Sequence, residues 1–414
     1  MHSDEFRRHA QRDEKDFTRH RALPFAQLIA LMLNFRKGTI QDELDQLFET
    51  ITEAPVAASV TPAAFCKARK KLRPEAFETL NQTLLSSAYP YLPRVAWHGF
   101  RVLAVDGSTA RLPAYAQIEK AFGGPSDSHV PMARFSRLYD VLTGLVIRAD
   151  MVAYHRGERE LASQYISELQ PNDLVLYDRG YPAFWLLAYH VEEQRRYCAR
   201  LPRDFHPEVA AFLESGERSR VVNLVPGRAA TRLCDQYNIS SAPIPMRLVR
   251  VELNTGEVEV LATSLLDEQA YPTVWFAKLY QLRWGVEELY KRDKLRLEIE
   301  NFSGRTPLSL RQDFHAKILA ENLTAIFVLL AQQLVDQRYA HRKRCYQVNF
   351  ANALSKMKNN IIRVLLDSSP MPLCCQLIEK ISQSTEAVRP NRTFPRELRK
   401  LGVRGFFDNY KRTR

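Results

Sequence analysis

The chain has 414 residues, enough to bury a large core in roughly two to four domains, which excludes a single small module. Its 59 Lys and Arg outnumber 47 Asp and Glu, and the net charge of +12 favours a polyanionic partner such as nucleic acid. Six cysteines without zinc or disulfide spacing, a charged N-terminus and apolar runs too short to span a bilayer predict a cytoplasmic protein with no membrane partner.

Residues 1–94 show helical apolar periodicity and predict a helical N-terminal domain. Thr39 and Thr61 are candidate helix N-caps. The last of these helices is basic and carries Lys67, Arg69, Lys70, Lys71 and Arg73. A short helix pair that ends in a basic helix is compatible with a helix-turn-helix, so Lys67, Lys70 and Lys71 are candidate DNA-binding residues. The alternative is a basic surface helix without a ligand.

Residues 95–203 alternate short β-branched runs with helical segments and predict the first part of an α/β core. The run FRVLAVD ends at Asp106, a Thr-Gly turn joins the next two runs into a hairpin, and DLVLYD ends at Asp178. Active sites of open α/β sheets lie at the C-terminal ends of strands, where both aspartates are predicted.

The remaining chain divides into three segments. Residues 204–266 are rich in predicted strands and look like a β-strand insertion. Residues 267–365 return to the core and add C-terminal helices. Residues 366–414 form a basic C-terminal tail, which is typical of a solvated arm or one that contacts nucleic acid.

The segment YQLRWGVEELYKRDK, residues 280–294, predicts a helix with two distinct faces. At 100° per residue, three residues fall within roughly 60° of Tyr280, namely Arg283, Glu287 and Lys294. The apolar residues occupy another sector, so we expect the polar face to be displayed. The alternative is a solvated helix with surface ion pairs, such as Glu287 with Lys291 at i,i+4 spacing.

Three carboxylates suggest a chemistry if the predicted elements bring them together: Asp106, Asp178 and Glu287. Such a cluster repels itself unless cations neutralise it, and hard oxygen ligands suit Mg²⁺ or Mn²⁺. Two ions roughly 4 Å apart favour in-line attack on a phosphodiester. The alternative is structural, because Asp-Gly and Asp-Arg-Gly are common turns.

On these residues the chain resembles the DDE transposases of bacterial insertion sequences, in the insertion-sequence-four group. The signature Y-x2-R-x3-E-x6-K of that group is matched at every spacing by Tyr280, Arg283, Glu287 and Lys294. The segments AVDGSTARLP and LYDRGYPAFWLL resemble its first and second motifs, with Asp106 and Asp178 as the acidic residues. The resemblance covers most of the chain.

The resemblance implies a ribonuclease-H-like catalytic core in which Asp106, Asp178 and Glu287 bind two Mg²⁺ ions, for which Mn²⁺ can substitute. It also implies that Tyr280, Arg283 and Lys294 contact transposon-end DNA, and Lys291 on the same helix is a further candidate contact. By the same resemblance, the N-terminal domain reads terminal inverted repeats, a homodimer forms the synaptic complex, and the element moves by cut-and-paste transposition.

Two other functions stay open at this point. One is a DNA-binding protein derived from a transposase, against which the intact acidic triad argues. The other is a metal-dependent nuclease without strand transfer, which the carboxylates alone do not exclude.

The chain departs from the family that it resembles in one respect. Several members of that family stack a flipped base on a tryptophan from the insertion. Residues 204–266 contain no tryptophan, so Tyr237 and Phe212 are the candidate replacements.

Overall fold

The structure is a computed structural model that describes residues 1–19, 21–34, 38–52, 60–93, 95–127, 130–253, 256–292, 299–358 and 360–388. Of residues 284–292 it describes the backbone alone. The chain divides into two compact units. The helical unit comprises Met1–Pro93, Arg111–Met132 and Arg292–Arg414, and the sheet unit comprises Arg94–Ala110 and Ala133–Lys291.

The N-terminal part of the chain is helical, as the apolar periodicity predicts. Its helices are α1 (Asp4–Ala10), α2 (Phe25–Leu33), α3 (Ile40–Thr52), α4 (Pro62–Arg69) and α5 (Glu75–Ala88). The Thr39 hydroxyl accepts a hydrogen bond from the Asp42 N–H at 3.2 Å, and the Thr61 hydroxyl accepts one from the Ala64 N–H at 3.2 Å. Both predicted N-caps are therefore confirmed.

The middle of the chain alternates strands and helices. In chain order these are β1 (Arg101–Arg111), α6 (Ala116–Phe122), β2 (Met132–Asp140), β3 (Leu145–Ala153), α7 (Glu158–Ile166), β4 (Asp173–Tyr177), α8 (Phe184–Glu192), β5 (Arg196–Leu201), α9 (Pro207–Ser215), β6 (Ser219–Leu224), α10 (Arg228–Tyr237), β7 (Ile244–Glu252), β8 (Val258–Thr263) and α11 (Trp275–Arg292). The predicted hairpin is confirmed as β2 and β3, and its turn residue Gly144 has φ +71°.

The eight described strands β1–β8 form one sheet in the order β3-β2-β1-β4-β5-β8-β7-β6. The central strands β1, β4 and β5 are parallel, whereas β5, β8, β7 and β6 pair in antiparallel fashion. The prediction of an α/β fold is confirmed. Residues 204–266 contribute β6, β7 and β8 to this same sheet and also contain α9 and α10.

One strand end differs from the sequence prediction. The predicted first strand ends at Asp106, but β1 continues to Arg111. Its pairing with β4 ends at Ala104, and β2 borders β1 on the other side. The strand therefore keeps a neighbour after β4 ends, and Asp106 lies within β1 rather than after it.

The C-terminal part comprises α12 (Pro307–Arg338), β9 (Tyr346–Val348), α13 (Phe350–Met357), α14 (Asn360–Leu366), α15 (Met371–Ser382) and β10 (Thr385–Ala387). Within the described part of the chain, α12 is the one helix long and apolar enough to cross a membrane, and 56% of its apolar window is buried in the protein. It packs against α5 and α15, so we assign it as the central helix of the helical unit. Residues 389–414 of the predicted basic tail lie outside the described residues.

A buried polar network joins α4 to α12 in the helical unit. The Arg69 guanidinium donates to Asp313 Oδ1 at 2.9 Å, and the two side chains are 5% and 3% exposed. Arg69 also donates to Gln312 Oε1, Ser303 Oγ and the Ser309 carbonyl. The sequence predicts that Arg69 belongs to a basic helix face, but in the structure its side chain is buried and links α4 to α12.

The Asp313→Asn substitution should destabilise the helical unit by about 3–5 kcal/mol, because it leaves the Arg69 charge buried without its counter-ion. Urea unfolding followed by far-UV circular dichroism measures this loss. The matched control is Asp4→Asn, whose ion pair with Arg7 has side chains 77% and 41% exposed. That change should cost less than about 1 kcal/mol. Equal losses in the two variants would contradict a structural role for the Arg69 network.

A second buried network lies behind β4 in the sheet unit. His190 of α8 is completely buried, and its Nε2 lies 2.7 Å from the Tyr177 hydroxyl. The His190 carbonyl accepts a hydrogen bond from the Arg195 N–H, which follows the end of α8. Burial lowers the pKa of His190 to about 3. The imidazole is therefore neutral in the folded protein.

Acidification should destabilise the sheet unit through His190. The folded state does not take up the proton until the pH falls near 3, whereas the unfolded chain takes it up below about 6.5, so stability is lost as the pH falls through this window. We expect about 2 kcal/mol less stability at pH 5 than at pH 7 from this residue.

Urea unfolding followed by tryptophan fluorescence tests this expectation, because all four tryptophans belong to the sheet unit. His190→Gln should remove that part of the pH dependence. The exposed His155 is the control, and His155→Gln should behave as wild type. An unchanged pH dependence in His190→Gln would show that the imidazole is not the titrating group.

Candidate active site

The parallel pairing of β1 and β4 brings two of the predicted acidic residues to matching positions. The register pairs Arg101 with Asp173 and ends with Ala104 opposite Leu176. Asp106 lies two residues beyond Ala104, and Asp178 lies two residues beyond Leu176. Since side chains alternate along a strand, each aspartate emerges on the face of its last paired residue. The two carboxylates therefore lie side by side at one end of the parallel pair.

Asp106 is a half-buried carboxyl group in β1. The Gly107 N–H donates to its Oδ1 at 2.9 Å. Burial raises the pKa of Asp106 to about 6; Arg283 opposes this increase, and the negative charges of Asp178 and Glu158 add to it. The group thus lies in a place where added positive charge would favour its ionised form.

Asp178 follows β4 directly and is fixed by the turn that it begins. Its Oδ1 accepts the Arg179 N–H at 2.6 Å, and its carbonyl accepts the Tyr181 N–H at 3.0 Å. The other carboxylate oxygen, Oδ2, lies 3.1 Å from Arg283 Nη2. The Asp178 side chain is 39% exposed, so it stays open to a ligand although contacts hold both of its carboxylate oxygens.

Helix α11 reaches this end of the sheet through Tyr280 and Arg283. The Tyr280 hydroxyl donates to the Tyr177 carbonyl at 3.4 Å, and burial raises the pKa of Tyr280. The sequence predicts that this face is displayed, but Tyr280 and Arg283 are only 4% and 7% exposed. The difference arises because α11 places these residues against the end of β4. Their contact with DNA stays a prediction.

The remaining signature residues are only partly described. Glu287 and Lys291 belong to α11, and Glu287 follows Arg283 by one helical turn. The side chains of both lie outside the described part, and Lys294 lies outside the described residues altogether. That Glu287 joins the two aspartates therefore stays a prediction.

The described donors fit a divalent cation in chemistry. Asp106 and Asp178 offer carboxylate oxygens, the ligands that Mg²⁺ and Mn²⁺ prefer. Among side chains that the structure describes, no three His, Cys, Asp or Glu residues form a complete metal-binding group. That Glu287 supplies a further ligand stays a prediction.

The candidate DNA-binding lysines lie in the helical unit. Lys67 is on α4, and Lys70 and Lys71 follow its last residue; all three are exposed. Lys71 Nζ lies 3.3 Å from Asp16 Oδ1, so part of its charge is neutralised within the protein. Their role in DNA binding stays a prediction.

Sequence analysis missed a cavity beside Asp178 that has three arginines in its wall. The cavity has a volume of about 330 Å³, and its wall contains Arg179, Arg200 and Arg203 together with Glu257, Glu259 and the apolar residues Leu201, Leu213, Val258 and Val260. Arg200 is held by Glu259 at 2.6 Å, while Arg179 and Arg203 are exposed. Tyr177 pairs with Ala199, so Asp178 and Arg200 occupy matching positions after β4 and within β5. Only the strand order brings these arginines together, and no spacing in the sequence indicates that order.

The two aromatic residues proposed to replace a tryptophan differ in exposure. Phe212 of α9 is completely buried, so it offers no face for a base. Tyr237, the last residue of α10, is 37% exposed, and its ring stacks on Trp185 with centroids 4.4 Å apart. Of the two candidates only Tyr237 retains an open aromatic surface.

The sheet, the paired aspartates and the arginine beside them lie within a stretch of the chain that matches a known family. The family model described as the transposase DDE domain matches residues 97–323, more than half of the 414 residues. The chain belongs to this family. The match includes Asp106, Asp178, Tyr280, Arg283 and Glu287.

Two relatives agree with this assignment. The chain is 26% identical to the transposase InsG of insertion sequence element IS4 from Escherichia coli (strain K12), over 64% of this chain and 60% of that protein. It is 32% identical to the putative transposase y4zB of Sinorhizobium fredii (strain NBRC 101917 / NGR234), over 24% of this chain and 26% of that protein. The match thus spans less than two thirds of either relative. The predicted resemblance to DDE transposases of the IS4 type is confirmed.

A solved structure is also similar in part. It is the cryo-EM structure of the piggyBac transposase synaptic complex with hairpin DNA. The similarity covers 86% of this chain and 74% of that chain at 14% identity, with a TM-score of 0.40. A score this low does not establish a common fold.

Proposed function

We propose that this protein is a DNA transposase that binds the terminal inverted repeats of its insertion sequence and catalyses metal-dependent strand cleavage and strand transfer. The proposed reaction is cut-and-paste transposition: hydrolysis of a phosphodiester frees a 3′-hydroxyl at the transposon end, and that hydroxyl attacks target DNA. Membership of the DDE family supports the class of reaction. The residues at the end of the β1–β4 pair support its location.

The observation that carries the proposal is the pairing of Asp106 and Asp178 at matching positions beyond Ala104 and Leu176. Two carboxylates on adjacent strands repel each other unless positive charge lies between or beside them. Arg283 supplies part of that charge at 3.1 Å from Asp178. We propose that Glu287 completes the group, and that strands β1–β5 form the ribonuclease-H-like core.

The three acidic residues and the residues of α11 would have different parts in the reaction. Asp106, Asp178 and Glu287 would hold two Mg²⁺ ions, or Mn²⁺ in their place. When bound, such cations supply the charge that activates a water or a 3′-hydroxyl and stabilises the leaving oxygen. Arg283 and Tyr280 hold the turn at Asp178, and we propose that with Lys291 and Lys294 they also grip the transposon end.

The charge of the chain fits a DNA substrate. The cavity with Arg179 and Arg203 in its wall lies next to Asp178, and we propose that the scissile strand passes there. Guanidinium groups bind phosphate oxygens in two-point contacts, so the exposed Arg179 and Arg203 suit a strand backbone, whereas Arg200 is paired with Glu259. We propose double-stranded DNA as the partner, with Lys67, Lys70 and Lys71 as contacts to the terminal repeats. We also propose that the protein forms a homodimer in the synaptic complex and that it is located in the cytoplasm.

Excision of a marked element tests the proposal directly. Wild-type protein should remove a marker flanked by the native borders of its gene, whereas Asp178→Asn and Glu287→Ala should lose excision by at least about 100-fold. Both variants should still bind border DNA, because each change removes a carboxylate rather than a basic contact. With purified protein, EDTA should abolish cleavage and Mn²⁺ should restore it.

The outcomes separate the competing functions. Border binding without excision by any of the proteins favours a transposase-derived DNA-binding protein. Cleavage without joining to a target favours a metal-dependent nuclease. Cleavage that persists in EDTA would overturn the metal-dependent mechanism, and equal loss of binding in Asp178→Asn would indicate a folding role for that residue.

A contact between Arg283 and phosphate predicts a change in salt dependence. Arg283→Gln should weaken binding to border DNA and lower the slope of log affinity against log salt by about 1. The measurement is a fluorescence anisotropy titration at several salt concentrations. Arg156→Gln is the control, since Arg156 pairs with Glu160 on α7 at the protein surface, and its slope should match wild type.

A double variant separates two roles of Arg283. If it acts only by neutralising Asp178, then Arg283→Gln combined with Asp178→Asn should bind DNA as tightly as wild type. If it contacts phosphate, the double variant should keep the reduced slope. Recovery of the wild-type slope in the double variant would therefore refute the phosphate contact.

A further inference from the structure

Two polar groups outside the acidic triad converge beside Asp106. Tyr181 and Glu158 lie close to the backbone of Gly107, the residue after Asp106. A Cβ added at Gly107 would lie 3.2 Å from the Tyr181 hydroxyl and 3.2 Å from the Glu158 carboxyl carbon. A glycine at this position leaves room for both groups. Asp106 is thus flanked by a carboxylate and a phenol that are not part of the Y-x2-R-x3-E-x6-K signature.

The phenol belongs to a side chain that the protein holds firmly. Tyr181 is 3% exposed, and its backbone N–H donates to the Asp178 carbonyl. Its ring packs against that of Tyr177, with centroids 5.7 Å apart. The turn that fixes Asp178 therefore also fixes the position of the Tyr181 ring.

The hydroxyl of Tyr181 has no hydrogen-bond partner among the described residues. A buried polar group left in this state costs about 1–3 kcal/mol. Proteins seldom retain such a group unless a water, an ion or a ligand completes it. The hydroxyl points to the space beside Gly107, so that space is where a missing partner belongs.

The carboxylate is also held in place, although it is 40% exposed. Glu158 is the first residue of α7, and Arg134 of β2 forms an ion pair with its Oε1. Arg134 is itself oriented by a hydrogen bond from its Nε to the Tyr154 carbonyl at 3.2 Å. The negative charge of Glu158 raises the pKa values of both Asp106 and Tyr181, for which burial is the main cause, in agreement with the close approach of Glu158 and Tyr181 to Gly107.

We propose that Glu158 and Tyr181 hold the water ligands of the divalent cation that Asp106 binds. This inference rests on the proposed function, since it assumes a cation at Asp106. Mg²⁺ and its substitutes keep several waters when proteins bind them, and each such water needs a hydrogen-bond acceptor. Glu158 offers a carboxylate for this purpose, and the phenol oxygen of Tyr181 can accept one hydrogen bond while its O–H donates another.

Action through water, rather than direct ligation, agrees with the geometry. Among the side chains that the structure describes, Glu158 does not form a three-residue metal-binding group with the two aspartates. Its Oε1 is occupied by Arg134, which also limits its approach to a cation. Groups that orient metal ligands in this way typically change metal affinity about 10–100-fold when they are removed.

Binding of Mn²⁺ to the full chain without DNA tests the inference independently of catalysis. Electron paramagnetic resonance of unbound Mn²⁺ gives the affinity of the site. Glu158→Gln and Tyr181→Phe should each weaken Mn²⁺ binding about 10-fold. Glu160→Gln is the matched control, because Glu160 lies on the same helix and pairs with Arg156, and its affinity should equal that of wild type.

Tyr181→Phe separates this role from a structural one. It keeps the buried ring and removes only an oxygen that has no described partner, so it should not lower the thermal midpoint of tryptophan fluorescence. Weaker Mn²⁺ binding at an unchanged or raised midpoint therefore supports the inference, even if Glu158→Gln proves unstable. Wild-type affinity in Tyr181→Phe would overturn it.

Asp106→Asn distinguishes failure of this inference from failure of the proposed function. If Asp106→Asn loses Mn²⁺ binding while Glu158→Gln and Tyr181→Phe bind as wild type, the proposed function stands and the water-holding role is wrong. If Asp106→Asn also binds Mn²⁺ with wild-type affinity, the metal site itself is elsewhere, and both proposals fall.

Discussion

The parallel pairing of β1 with β4 is the constraint on which the candidate site depends. Asp106 and Asp178 are separated by 72 positions in the chain, and the four-residue register from Arg101 to Ala104 brings them together. The hydrogen bonds between the two strands therefore hold the carboxylates together although their negative charges repel each other. The sheet is stable enough to impose this arrangement because β1 and β4 are almost entirely buried at the paired residues.

Several neighbouring groups interact with the negative charge of the two aspartates. Arg283 opposes it from α11, the backbone N–H groups of Gly107 and Arg179 bind one oxygen of each aspartate, and burial still raises the pKa of Asp106 to about 6.

The helical unit uses the same pair of side-chain types for a different purpose. Arg69 and Asp313 are almost completely buried, and Gln312 satisfies carbonyls of Arg69 and Leu72. Asp178, by contrast, is 39% exposed while it contacts Arg283. An arginine–carboxylate pair is therefore structural where both partners are enclosed and available for chemistry where one of them reaches solvent.

The sequence by itself determined the types of most elements and the family, and it predicts Asp106, Asp178 and Glu287 as the acidic residues of the site. Local rules suffice for these: β-branched runs predict strands, Thr39 and Thr61 satisfy the N–H groups of helix ends, and four residues at fixed spacing carry the signature. Side-chain exposure was harder to predict. The helical arc that contains Tyr280 and Arg283 was expected to be displayed, whereas the packing of α11 against the end of β4 buries both residues.

Tertiary structure alone decided which distant residues are neighbours. The strand order placed β5 beside β4 and so joined Arg179, Arg200 and Arg203 into one cavity. It also brought Glu158 and Tyr181 to Gly107 from two separate segments. No local pattern encodes these contacts, because they depend on how strands far apart in the chain pair and on which space a glycine leaves open.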